Sequence, residues 1–320
     1  MKTLSKHLIS LLAASLLLAC SNEPKTDASK TTPISNVKPI VVASKIDTEG
    51  GLLGNLMLLT LESKGLAVTN KVAFGVTPIV RKALLAGEVD IIADYTGNGA
   101  FLFAGLEHHP DWKNLDKGWA LVKKQDYAAN KVVWLTPSPA NNTYALAVRE
   151  DIATQYQLKT MSDFGAWVSK GGSVKLIASQ EFVNFGGALP EFEKNYAFKM
   201  QPNQMVVVAG GDTANTIKAA AQQISGVNTA MVYGTDGGIV ASKLVALTDD
   251  KNTQHVYAPA PIVREEVLKL HPEIETALAP VFQSLTVEVL RELNARIQLG
   301  GESAHDVARA YLLEKGFISK

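Results

Sequence analysis

From Pro39 onward the chain alternates short apolar runs with helical patterns, and that alternation admits few architectures. PIVVASK reads as a strand, GGLLGNLMLLTLESKG as a helix, NKVAFG as a strand, TPIVRKALLAGE as a helix and VDIIADY as a strand. Asp47 or Thr48 stands where the first helix needs an N-cap, and Gly65 follows its end. Thr77 is placed to cap the second helix, with Pro78 in its first turn and Gly87 past its last. Strand and helix in strict alternation predict a largely parallel sheet covered by helices.

The alternation then breaks and restarts. A polar segment, DWKNLDKGWALVKKQDYAANK, leads into VVWLTPSPANNTYALAVRED, an extended stretch interrupted by Pro137 and Pro139. A second series follows: a helix around Met161 to Ser169, the strand VKLIAS, the helix ALPEFEKNY, the strand MVVVAG, the helix DTANTIKAAAQQ, and the strands NTAMVYG and LVALTD. VYAPAPIVREEVLKLHPEI is a second Pro-bearing extended stretch, and the remainder is helical with no strands of its own. Those last helices need a surface made earlier, most simply that of the first series. The expected fold is therefore α/β with two lobes. Lobe 1 comprises 39–142 plus 257–320, lobe 2 is inserted as 143–256, and crossover hinge strands lie near Pro137–Tyr144 and Lys251–Pro261. Ligands of such proteins sit at the interface between the lobes.

Residues 1–38 stand apart from that body. Lys2 and Lys6 precede LISLLAASLLLA, an apolar run shorter than the ~20 residues that span a bilayer. It ends at Leu17-Leu18-Ala19-Cys20, and Cys20 is the only cysteine of the chain. A small residue followed by cysteine after such a run is the pattern of a bacterial lipoprotein signal, so 1–20 reads as a signal peptide and Cys20 as a lipidated new N-terminus. No disulfide can form within the chain. Residues 21–38 are rich in Ser, Thr, Lys and Pro and read as a flexible tether. Together these predict a periplasmic or cell-surface protein that touches the membrane only through its anchor.

Several function classes drop out. With 31 Lys and Arg against 31 Asp and Glu the formal net charge is +0, which argues against a nucleic-acid partner. TGNGAF lacks the last glycine of a dinucleotide fingerprint, since Leu102 stands there, and EGGLLG begins with Glu49, which would repel a pyrophosphate. No G-x-S-x-G occurs, and the six histidines are scattered. Neither a cofactor, a metal nor a catalytic residue is expected. A periplasmic α/β enzyme is the alternative from another class, and the missing nucleophile and cofactor loop weigh against it.

Four tyrosines do stand at telling places. Tyr95 ends VDIIADY, Tyr233 ends NTAMVYG, and Tyr144 and Tyr257 lie on the two crossovers. Carboxyl ends of strands face the crevice of an open α/β sheet. Aromatic faces converging there suit a quaternary ammonium, which has no N–H to donate, at roughly 0.5–2 kcal/mol per desolvated ring.

At these residues the chain resembles the substrate-binding proteins of glycine betaine/choline-type ABC importers, in their osmoprotectant-binding branch. The stretches that carry the resemblance are ASKIDTEGGLLGN, TPIVRKALLAGEVDI, DYTGNGAF, SPANNTYALAVRED, GGDTANTIKAAAQQISGVNTAMVYGTDGG and VYAPAPIVREEVLKLHPEI. The resemblance implies a two-lobed, type II-like periplasmic binding protein. It also implies a cage on Tyr95, Tyr144, Tyr233 and Tyr257, with Lys45 near the ligand and Asn142 where some relatives place an aspartate. Thr77, at a helix start on the same side, is expected to help hold a carboxylate. In many betaine binders an arginine clamps the carboxylate after the first strand of the inserted domain. Here that stretch is SQEFVNFGGALPEF, with Phe185 or a neighbour in its place, so modest affinity for glycine betaine is expected. The implied partners are a small quaternary-amine ligand and the membrane permease, with the receptor a monomer. Another zwitterion or amino acid is the alternative ligand. Tyr95→Ala is expected to weaken binding with the apo melting temperature nearly unchanged, and Gly97 and Gly99 to let their turn approach the ligand.

Overall fold

Among the described residues short apolar runs become ten strands: β1 (Ile40–Lys45), β2 (Val68–Gly75), β3 (Ile91–Tyr95), β4 (Val132–Trp134), β5 (Tyr144–Arg149), β6 (Leu176–Ser179), β7 (Met205–Val208), β8 (Thr229–Tyr233), β9 (Leu244–Ala246) and β10 (Pro259–Arg264). The structure is a computed structural model that describes residues 38–319. The expected signal peptide, Cys20 and all of the expected tether except Lys38 lie outside the described residues. One sheet has the order β2-β1-β3-β10-β4 and the other β7-β6-β8-β5-β9. The fold class is α/β, as expected.

Neither sheet is largely parallel, which corrects the sequence expectation. β1 is parallel to β2 and β3, but β10 runs antiparallel to β3 and β4. Likewise β6 is parallel to β7 and β8, while β5 runs antiparallel to β8 and β9. The reason is geometric. β5 and β10 are the strands entered directly from the two crossovers. Each enters its sheet beside the carboxyl end of a parallel strand, Pro259 opposite Tyr95 and Tyr144 opposite Tyr233, so it can only run back the other way. The register follows: Tyr144 pairs with Tyr233, and Pro259, two residues after Tyr257, pairs with Tyr95.

The helix Thr48–Ser63 is apolar on nearly every side and is buried accordingly. Asp47 caps it by accepting from the Gly50 N–H at 2.7 Å. Its inner face lies flush on β1: a Cβ on Gly54 would stand 2.7 Å from the Ser44 Cβ. The C-terminal helices Glu273–Gln283, Val287–Gln298 and Ala304–Glu314 pack against this helix, so they belong with the first sheet by way of the helix that covers it. One apolar cluster runs from Ile40 and Leu56 through Tyr95, Tyr144 and Tyr257 to Phe164 and Phe192, and Lys38–Lys320 forms one compact unit. Among the described residues no helix is long and apolar enough to cross a membrane.

Two local details differ from the sequence reading. Val76, not Thr77, is the N-cap of the helix Thr77–Leu85, and no side chain caps it. Thr77 is the first helical residue, so its hydroxyl is not consumed in capping. The stretch after β6 forms an unforeseen short helix, Gln180–Asn184, started by Ser179, whose hydroxyl accepts from the Phe182 N–H at 3.1 Å.

Candidate functional site

Strand ends build the site. Lys45, Tyr95, Ser179 and Tyr233 are the last residues of β1, β3, β6 and β8, and all four line one cavity of about 720 Å³ between the sheets. Thr77, Asn142, Tyr144 and Tyr257 line it too, so all seven residues expected at a ligand site are brought to one cavity. The two crossovers lie side by side beneath it. The Asn142 N–H donates to the Tyr257 carbonyl at 2.9 Å, and the Tyr257 N–H donates to Asn141 Oδ1 at 2.8 Å.

Three of the tyrosines form a continuous wall. The Tyr144 ring lies 5.4 Å from that of Tyr233, tilted by 38°, and 5.3 Å from that of Tyr257, nearly edge-on at 76°. Rings this close touch one another. A trimethylammonium therefore has no room between them and must meet the face that the wall presents to the cavity. Burial raises the phenol pKa values of all three, so the rings stay neutral. The Tyr144 hydroxyl donates to Glu181 at 2.5 Å, and the Tyr257 hydroxyl is buried with no hydrogen-bond partner among the described residues.

Tyr95 is held differently. It is buried, its hydroxyl donates to Glu49 Oε1 at 2.8 Å, and the Lys45 ammonium stands 4.2 Å over its ring. That ammonium also lies 3.6 Å from Asp94 Oδ1. A second cation would share the Tyr95 face with Lys45. Asn142 is likewise engaged: its Nδ2 donates to Glu49 Oε1 at 2.9 Å, and Thr235 Oγ1 lies 2.7 Å from its Oδ1.

Glu49 is the residue the sequence reading used only to exclude a phosphate. It is buried and accepts from Tyr95, Asn142, Thr235 and Asn294, with Asn294 Nδ2 at 2.8 Å from Oε2. Its partners come from the end of β3, the first crossover, the turn after β8 and the helix Val287–Gln298. Desolvation pushes its pKa up to about 7, against the lowering by the hydrogen bonds from Thr235, Tyr95 and Asn294. Nothing local in EGGLLG signals this, because three of the partners lie 93 or more residues away.

The glycines after Tyr95 also serve another purpose than expected. A Cβ on Gly97 would stand 2.7 Å from Tyr257 Cδ1, and one on Gly99 would run into the Trp112 ring. They make room for aromatic rings of the protein itself.

The rest of the lining supplies charge and shape. Phe101 and Phe185 meet edge to face at 5.5 Å from opposite sides of the cavity. Asp47, Glu181 and Asp212 line it, and among the described residues Lys45 is its one cationic side chain and no arginine lines it. Burial raises the Asp212 pKa. Among the described residues no group of three or more His, Cys, Asp or Glu side chains is arranged to hold a metal ion.

The chain as a whole is similar to known proteins. A family model described as the substrate binding domain of ABC-type glycine betaine transport systems matches residues 38–314. The glycine betaine-binding protein YehZ of Escherichia coli K12 is 50% identical over 290 residues, which is 91% of this chain and 95% of the relative. The solved structure of apo YehZ from E. coli aligns with a TM-score of 0.67 at 51% identity, over 88% of this chain and 100% of that one. A solved glycine betaine/carnitine/choline ABC transporter structure, 22% identical, shares the fold with a TM-score of 0.68, over 88% of this chain and 100% of that one. The resemblance read from the sequence is thus met by a glycine betaine-binding relative at 50% identity.

Proposed function

The chain belongs to the family of substrate-binding domains of ABC-type glycine betaine transport systems, and on that premise we propose that it captures a quaternary-amine osmolyte, glycine betaine first. The trimethylammonium rests on the face of Tyr144, Tyr233 and Tyr257. Lys45 and the Thr77 end of its helix meet the carboxylate. Tyr95 and Asn142 border the same space through their bonds to Glu49. The observation that carries this reading is the convergence of all four tyrosines on one cavity in a chain matched to that family over 38–314.

The two sheets act as lobes, 39–142 plus 257–320 and 143–256, that close on the ligand about the crossovers. The closed receptor, a monomer lipidated at Cys20 and held outside the cytoplasm, presents both lobes to a membrane permease. No bond is made or broken in this role. Affinity is modest, because Lys45 is shared with Asp94 and no arginine among the described residues lines the cavity to supply a fork. Equilibrium titration of the purified chain with glycine betaine, choline and proline tests the reading. Saturable binding of a quaternary amine, weakened at least tenfold in Tyr257→Ala, is the expected result. Tighter binding of proline than of either quaternary amine would move the assignment to another class of zwitterion.

A further inference from the structure

The cavity's charge is unbalanced for a site meant to take a zwitterion. Among the described residues it holds Asp47, Glu181 and Asp212 against Lys45 alone. Glu181 is the distinctive member. It is carried on the short helix Gln180–Asn184, in the stretch where the sequence lacks an arginine clamp. It is solvent-exposed, faces the cavity, and accepts the Tyr144 hydroxyl at 2.5 Å. Its charge reaches Tyr233 and Tyr257 as well, where it contributes to raising both phenol pKa values. No Lys or Arg forms a salt bridge with it among the described residues.

We propose that Glu181 is a specificity-determining residue: its carboxylate favours the cationic head of the ligand and opposes any carboxylate the ligand carries. The inference rests on the quaternary-amine reading above. Two physical effects act together. A charge-assisted hydrogen bond from Tyr144 draws electron density toward the ring and strengthens its attraction for a cation. The same negative charge, exposed at the cavity wall, repels a second carboxylate across a few ångströms of partly screened space. For a ligand with only the cation, both effects are favourable. For a zwitterion they oppose each other, which holds down the affinity for glycine betaine relative to choline, whose trimethylammonium bears a hydroxyl arm.

The test uses the full chain, native and Glu181→Gln, titrated calorimetrically with glycine betaine and with choline. Glutamine keeps an oxygen to accept from Tyr144 and removes the charge. The ratio of the choline Kd to the glycine betaine Kd should rise by about three- to tenfold, the scale of one screened charge pair at this range. Glu181→Lys should move the ratio further in the same direction. If Glu181 only positions Tyr144, both affinities fall together. A ratio that stays within threefold of the native value in both variants overturns the proposal. Should the native chain bind neither ligand, the quaternary-amine reading falls and the proposal falls with it.

Discussion

Glu49 shows how much one side chain can organise. Buried, with four neutral donors and no cationic partner among the described residues, it holds its proton more tightly in the folded chain than in the unfolded one, with a pKa raised by desolvation from 4.5 to about 7. The stability this contributes is complete below about pH 4.5 and is lost as pH rises through about 7. His255 has the opposite sign. Burial lowers its pKa from 6.5 to about 4, so its contribution is present above pH 6.5 and lost as pH falls through about 4. The two partly cancel in the native chain. Comparing native with Glu49→Gln cancels His255 and isolates the carboxyl. The native chain should lose on the order of 2–3 kcal/mol relative to the variant between pH 5 and pH 8 in denaturant unfolding. A difference that is flat with pH would mean that Glu49 does not titrate in this window. Tyr95 depends on the same contact. Tyr95→Phe leaves Glu49 one donor short and should cost about 1–3 kcal/mol. Tyr95→Ala also removes a buried ring and should cost about 3–5 kcal/mol. The sequence reading expected the apo melting temperature to be nearly unchanged, and the burial of Tyr95 reverses that expectation. A melting curve of Tyr95→Ala within a degree or two of native would restore it.

At the scale of elements, strands and long helices were legible and their directions were not. Apolar runs such as VDIIADY and NTAMVYG mark strands because one local rule suffices. Parallel or antiparallel pairing depends on where a crossover enters its sheet, which no short stretch records. The same limit hid the helix Gln180–Asn184, five residues whose cap at Ser179 reads equally well as the start of a loop. The tyrosines were legible because strand ends are, and the register then sets Tyr144 opposite Tyr233. What could not be read was how close the rings come, or that Glu49 and Glu181 take up two of their hydroxyls. The turn after β3 offers a test at this scale. Gly97→Ala would set a methyl group 2.7–2.9 Å from three carbons of the Tyr257 ring. The ring or the turn must shift, at a cost of about 1–3 kcal/mol, and ligand affinity should fall with stability. Native-like melting and native-like affinity in Gly97→Ala would show that this contact does not position the wall.

For the whole molecule, two sheets of matching order meet at the ends of their parallel strands, joined by two crossovers that carry Asn142 and Tyr257. Such a frame can close only by bending those connections. Saturation with ligand should therefore shrink the radius of gyration in solution scattering, and saturable binding with an unchanged radius would separate capture from closure. The central claim is narrower, that the tyrosine wall selects a methylated cation. Glycine and glycine betaine share a carboxylate and a formal charge and differ only in the three methyl groups. Calorimetric titration of the full chain with each tests the claim most directly. The account predicts saturable binding of glycine betaine and binding of glycine at least tenfold weaker. Glycine binding as tightly as glycine betaine, or more tightly, would contradict it.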